Sequence, residues 1–194
     1  VATSASTWRA RLRPYTPAQR RTIDAALDLF GSHGVGGTSL QMLADAVGVT
    51  KAAIYHQFKT KDAIVVAVLE TELERLDVAL AAAEHGRSGT SGAPARDLLL
   101  RRVVAAAVER RSAWNTLQND PVFVRLLSDH EPSREFWARL FRVLTGGGRS
   151  ARSRVRAAVL SSAIGAAAHP FVVDLDDATL RRELVAVIEP LLES

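Results

Sequence analysis

Four helix-start signals fall within the first sixty residues, and they cut this part of the chain into short rods. Thr16-Pro17-Ala18-Gln19 has the form of a capping box with proline at the first helical position. Thr38-Ser39-Leu40-Gln41 has the same form, and Thr50 and Thr60 stand before two further helical runs. Between these starts the apolar residues recur at helical spacing: Ile23, Ala26, Leu27 and Phe30, then Leu40, Leu43, Ala44 and Val47. Glycines close the rods. Gly31 and Gly34 end the first near His33, and Gly48 ends the second. The loop Gly34-Val35-Gly36-Gly37 calls for backbone angles that glycine adopts cheaply.

The same reading continues along the chain. A fourth helix is expected from Lys61 to about Glu84, with Val65, Val68, Leu69, Leu73, Leu76 and Leu80 on one seam. The Gly/Ser-rich stretch 85–93 reads as a linker. Further helices are expected over 94–112, 121–128, 132–144, 151–168 and from 177 onward. Strand-like alternation is confined to very short runs, so the class is all-α, with about nine helices. Residues 1–15 read as a flexible basic arm, 16–61 as one domain and 62–194 as a second.

Charge separates the two ends. Residues 1–61 hold eight Lys and Arg against three Asp, a surplus of five, whereas 62–194 hold seventeen Arg against eighteen acids. A basic tip on a near-neutral body suits a polyanion, although a solvated charged arm gives the same count. The chain has no cysteine, which removes disulfides and thiolate chemistry. Its five histidines are scattered without an i, i+4 pair, so no metal site and no cofactor are expected. The arginine-containing N-terminus lacks an apolar core segment, and no apolar run approaches the roughly 18 residues that span a bilayer. A cytoplasmic protein is expected, with no membrane partner.

Residues 38–57 have the layout of a helix-turn-helix. Ala44 is small where two helices would cross, Gly48 suits a left-handed turn, and Ile54 would pack beneath it. The segment TSLQMLADAVGVTKAAIYHQFKTKDAIVVAVLE, residues 38–70, resembles the N-terminal signature of TetR-family transcriptional regulators. It shows the capped second helix, then Gly-Val-Thr, then Ile-Tyr-x-x-Phe, then Lys-x-Lys-Asp. The likeness covers roughly residues 17–70. It implies an Ω-shaped homodimer that represses transcription from double-stranded DNA and is released by a small-molecule effector.

The resemblance also assigns residues. Thr50 and Lys51 would open the helix that enters the major groove, with Lys51 set for a guanine. Hydroxyls at Thr38 and Thr50, with Ser39 in the same capping segment, would meet phosphate beside helix N-terminal amides. Tyr55 and Lys61 would likewise reach phosphates, and His56 is either a DNA contact or a plain surface histidine. Ala52 and Ala53 depart from the family, whose relatives often have Gly then Thr or Ser there. One polar contact is lost, and either alanine would instead pack a thymine methyl. Arg9, Arg11 and Arg13 belong to the arm, with a minor-groove role as the alternative.

The second domain has no catalytic constellation. Trp114, Leu117, Phe123, Phe136, Trp137 and Phe141 are either plain core or the lining of a cavity, with Gln118, Asn115 and His169 as polar groups nearby in sequence. The resemblance favours the cavity and an apolar or aromatic effector. Small residues on the helix over 151–168, namely Ala158, Ser161, Ser162 and Gly165, would let a second helix approach closely. With Leu184, Val187, Ile188 and Leu191 they suggest a four-helix bundle across a two-fold axis, and hence a palindromic operator. Arg149, Arg152, Arg154 and Arg156 read as a solvated helix start. Two rivals remain: another kind of DNA-binding protein, or a helical ligand-binding or enzyme-like domain with a vestigial helix-turn-helix, at which Ala52-Ala53 hints.

Overall fold

The computed structural model describes residues 14–86, 92–148 and 150–193. Most of the expected arm, the middle of the 85–93 linker and Arg149 lie outside the described residues. Ten α-helices and no strand occur among the described residues: α1 Pro17–Gly37, α2 Leu40–Val47, α3 Lys51–Gln57, α4 Lys61–Gly86, α5 Gly92–Glu109, α6 Arg111–Leu117, α7 Pro121–Asp129, α8 Glu131–Leu144, α9 Ala151–Gly165 and α10 Asp177–Glu193. The all-α class holds. The tenth helix is α6, whose first residues fall within the helix expected over 94–112 and whose remainder lies beyond every expected helix. No glycine or proline marks the break at Arg110. Two short 3-10 turns, Ala166–Ala168 and Pro170–Val172, follow α9, so that helix ends at Gly165 rather than Ala168.

The chain forms two compact units. Of the described residues, the first takes those up to Glu72 together with Thr116–Arg134, and the second those between Leu73 and Asn115 together with those from Glu135 on. Helix α4 contributes to both.

In the first unit α1 starts as its sequence dictates. Thr16 accepts from the Gln19 N–H, and Gln19 Oε1 accepts in return from the Thr16 N–H at 3.0 Å. The helix kinks at Gly34, where φ is 70° and ψ is 167°, a conformation reserved for glycine. Ile23, Ala26, Leu27 and Phe30 pack with Leu43, Ala44, Ile54, Ile64 and Phe123 in one core. Glu70 is buried in this unit. It accepts from the Tyr15 hydroxyl and, at 3.2 Å, from His130 Nε2, while His130 Nδ1 pairs with the Ser133 hydroxyl at 2.8 Å.

In the second unit α5 packs against α9 and α10. Leu99, Leu100, Val104, Phe136, Leu140, Leu160 and Ile188 fill its core. Among its described residues Arg139 lies inside. Arg139 donates to both oxygens of Glu84 at 3.0 and 2.6 Å and to Asp77 at 2.9 Å. The Glu84 hydrogen bonds raise the guanidinium pKa further, against the opposing effect of burial. A charge buried this deeply is tolerated because its N–H groups meet two carboxylates, Glu84 and Asp77.

Candidate nucleic-acid interface

The turn between α2 and α3 has the geometry that its sequence requires. Gly48 sits at φ 74° and ψ 36°, the left-handed region, and its N–H reaches back to the carbonyls of Ala44 and Asp45. The Val49 N–H follows, donating to Ala44 O at 2.9 Å. Ala44 is fully buried, and a larger side chain there would have to displace its neighbours in the core. Thr50 then caps α3 by accepting from the Ala53 N–H at 3.2 Å. Ile54 and Phe58 point into the core, one turn apart. The end of α3 is fastened to α1: Gln57 Oε1 accepts from the Thr22 hydroxyl at 2.9 Å, and the Gln57 carbonyl accepts from Gln19 Nε2 at 3.4 Å.

With 54 and 58 turned inward, the opposite face of α3 is open. Lys51, Ala52, Tyr55 and His56 are exposed, and Lys59 continues the stripe just beyond the helix. Tyr55 is 54% exposed, too open to serve as core. Lys59 Nζ stands 5.2 Å from the centre of its ring, a cation–π contact that places charge beside the phenol. Lys59 stands four residues after Tyr55, the spacing that brings the two side chains together. The described residues 14–61 carry five Lys and Arg against three Asp, so three of the five surplus positive charges reside on Arg9, Arg11 and Arg13. Asp45 is exposed on α2 and accepts from Gln41 Nε2 at 2.7 Å.

Three expectations need correction. Thr38 is 1% exposed, and its hydroxyl donates to the Gly34 carbonyl at 2.8 Å. It therefore seals the end of α1 and has no surface to offer a phosphate. The cap of α2 is Ser39, which accepts from the Met42 N–H at 3.1 Å. The capping box is thus displaced by one residue, with Met42 in place of Gln41. Lys61 is also engaged internally, its ammonium donating to the carbonyls of Val35 at 2.6 Å and Thr38 at 3.0 Å. Ser39 and Thr50 remain exposed, and Ala53 is half-buried beside Ala52.

The residues expected to line an effector cavity are divided between the two units. Leu117 and Phe123 belong to the packed core of the first, and Gln118 lies on its surface. In the second, Phe136 meets Trp137 edge-on at 5.6 Å, and Trp137 stacks on Phe141 at 5.9 Å. Trp114 is half-buried there. His169 is exposed and is occupied as a cap, its Nδ1 accepting from the Phe171 N–H at 3.3 Å.

On α9, Ala158, Ser161, Ser162 and Gly165 are exposed, and Val155 and Val159 are exposed beside them. On α10, Val187 is 65% exposed, and Leu184 and Leu191 are half-buried. Ile188 departs from the expected surface. It is fully buried, on the inward stripe with Leu180, Val185 and Leu192.

Residues 23–68 match the sequence profile of bacterial regulatory proteins of the tetR family. An HTH-type transcriptional repressor of Mycobacterium tuberculosis is 29% identical over 113 residues, covering 55% of this chain and 54% of that protein. The HTH-type transcriptional regulator RutR of Escherichia coli is 34% identical over 64 residues, covering 33% of this chain and 30% of its own length. The chain thus matches about half the length of the first relative and under a third of the second. Among solved structures, a TetR-family regulator from Mesorhizobium loti superposes with a TM-score of 0.62 at 22% identity, over 97% of this chain and 98% of that one. PfmR from Thermus thermophilus gives a TM-score of 0.63 at 19% identity, over 90% and 98%. At these identities the two structures speak for the fold.

Proposed function

Through its residues 23–68 this chain belongs to the tetR family of bacterial regulatory proteins, and on that premise we propose that it is a DNA-binding transcriptional regulator acting as a repressor. The observation that carries this reading is the open face of α3. A helix whose two large apolar residues are buried presents Lys51, Ala52, Tyr55, His56 and Lys59 outward together. Lys51, in the first turn, would meet a base edge, with Ala52 against a thymine methyl. Thr50 and Ser39, at helix N-termini, and the Tyr55–Lys59 pair would meet phosphates on either side.

Two copies would join through the exposed strip of α9 and α10, where Val155, Val159 and Val187 stand among small residues. Their recognition helices would read half-sites roughly 34 Å or a multiple apart, which makes the operator a palindrome. An apolar or aromatic effector held beside Trp137 and Phe141 would favour one spacing of the heads over another and so release the DNA. Selection of duplexes from a random pool by the full chain, with the mass of the complex measured in solution, tests this. A palindromic consensus bound by two chains is expected. A single chain that enriches no sequence would refute it.

A further inference from the structure

The loop between α1 and α2 is held by a side chain that lies 85 residues further along the chain. Asp120 occupies the turn between α6 and α7. Its Oδ1 caps α7, accepting from the N–H groups of Val122 at 2.9 Å and Phe123 at 3.1 Å. Its Oδ2 does something a cap does not need. It accepts from the Val35 N–H at 2.8 Å. The loop lies close enough that a Cβ on Gly34 would stand 3.1 Å from that oxygen.

Val35 is fastened on its other side as well, since its carbonyl accepts from Lys61 Nζ at 2.6 Å. Three of the four residues 34–37 are glycine. Such a segment has little conformational preference of its own and takes its shape from what holds it. Two residues later Ser39 opens α2, and α2 leads through the Gly48 turn into α3. The position of α3 is therefore referred back to the Val35 amide. Two further ties join the 116–134 segment to the first half of α4, Arg125 to Asp62 at 3.1 Å and His130 to Glu70 at 3.2 Å.

We propose that Asp120 is a positioning residue for DNA binding: by holding the Val35 amide it sets where α2 begins and how α3 is presented, and it makes the α6–α7 turn an element whose displacement the helix-turn-helix feels. The DNA role rests on the regulator reading above, whereas the tie to Val35 does not.

The full chain carrying Asp120→Asn separates the two jobs of this side chain. Asparagine caps a helix as well as aspartate and keeps one oxygen for Val122 and Phe123. Toward Val35 it presents an amide N–H₂, so donor meets donor. Amide exchange at Val35 is expected to speed up by about tenfold or more, with the amides of α7 unchanged. Affinity for a duplex selected by the wild-type chain is expected to fall about tenfold, with the same dependence on salt because no phosphate contact is removed. A purely structural role would instead speed exchange in α7 and throughout the unit. Unchanged exchange at Val35, or faster exchange with duplex affinity within about twofold of wild type, overturns the proposal. A wild-type chain that selects no duplex overturns the regulator reading and with it the DNA role of Asp120. That failure shows in the wild type, while a failure of the inference alone shows only in the variant.

Discussion

Alanine at Gly34 and at Gly48 should have very different costs, because the two glycines are needed for different reasons. Gly48 is left-handed at φ 74°, and a Cβ there meets nothing within 4 Å. Only the conformation is penalised, by about 1–2 kcal/mol for an L residue. Loss of glycine's freedom in the unfolded chain returns about 0.4–1 kcal/mol, leaving a net cost of roughly 1 kcal/mol. Gly34, at φ 70° and ψ 167°, occupies a region that essentially only glycine reaches, at about 1–3 kcal/mol for another residue. Its Cβ would also press at 3.1 Å on Asp120 Oδ2, the acceptor of the Val35 N–H. Displacing that oxygen strands a buried amide, a further cost of about 1–3 kcal/mol. Gly34→Ala should therefore cost roughly 3 kcal/mol in all. Native-state hydrogen exchange of the α1 amides between Ile23 and Phe30 reports the opening of this unit. The expected order of destabilisation is Gly48→Asn, then Gly48→Ala, then Gly34→Ala, since asparagine tolerates the left-handed region. Equal costs at the two glycines, or a greater cost for Gly48→Asn than for Gly48→Ala, would refute the reasoning.

Lys51→Ala should weaken binding to a selected duplex by about 1–3 kcal/mol and relax the preference at one position of each half-site, read with singly substituted duplexes. Lys61→Met should act differently: it leaves the carbonyls of Val35 and Thr38 without their donor, so exchange in the 34–38 loop should rise before any selectivity is lost. Arg139→Ala should destabilise the second unit by about 3–5 kcal/mol, because Asp77 and Glu84 lose the cation they share, and urea unfolding followed by Trp137 fluorescence would measure it. Acid titration should reveal Asp120. Burial pushes its carboxyl up, but the N–H groups of Phe123, Val35, Val122 and Gly36 together outweigh burial and hold the pKa below the ordinary 3.8. A depressed carboxyl stabilises the fold fully above its unfolded value and loses that contribution as pH falls through the folded one. Asp120→Asn should flatten that part of the stability curve below about pH 4, followed by urea unfolding at successive pH values.

The head was legible because its signals are local. Thr16 with Gln19, Gly48, and the inward pair Ile54 and Phe58 each act within one helical turn, and each stands where its spacing requires. At 38 and 39 two hydroxyl residues in succession both suit a cap, and only burial decides that Ser39 takes it. Lys61, a lysine beside a basic face, reads as a surface charge, whereas the carbonyls of Val35 and Thr38 hold it inside. The α5–α6 break has no glycine or proline to announce it. The tie from Asp120 to Val35 was beyond reach, as Asn119-Asp120-Pro121 reads only as a helix start and its second acceptor serves a residue distant in sequence. Ile188 and Val187 are adjacent apolar residues on α10, and choosing which faces outward requires the neighbouring helices.

The most direct test is a hydrogen-exchange footprint of the full chain on a selected duplex at low ionic strength. Protection should gather on residues 39–59, strongest from Thr50 to Lys59, and fade steeply as salt is raised. A duplex that leaves those amides exchanging as they do in the free chain, whatever its sequence, would contradict the assignment of α3 as the DNA-reading helix.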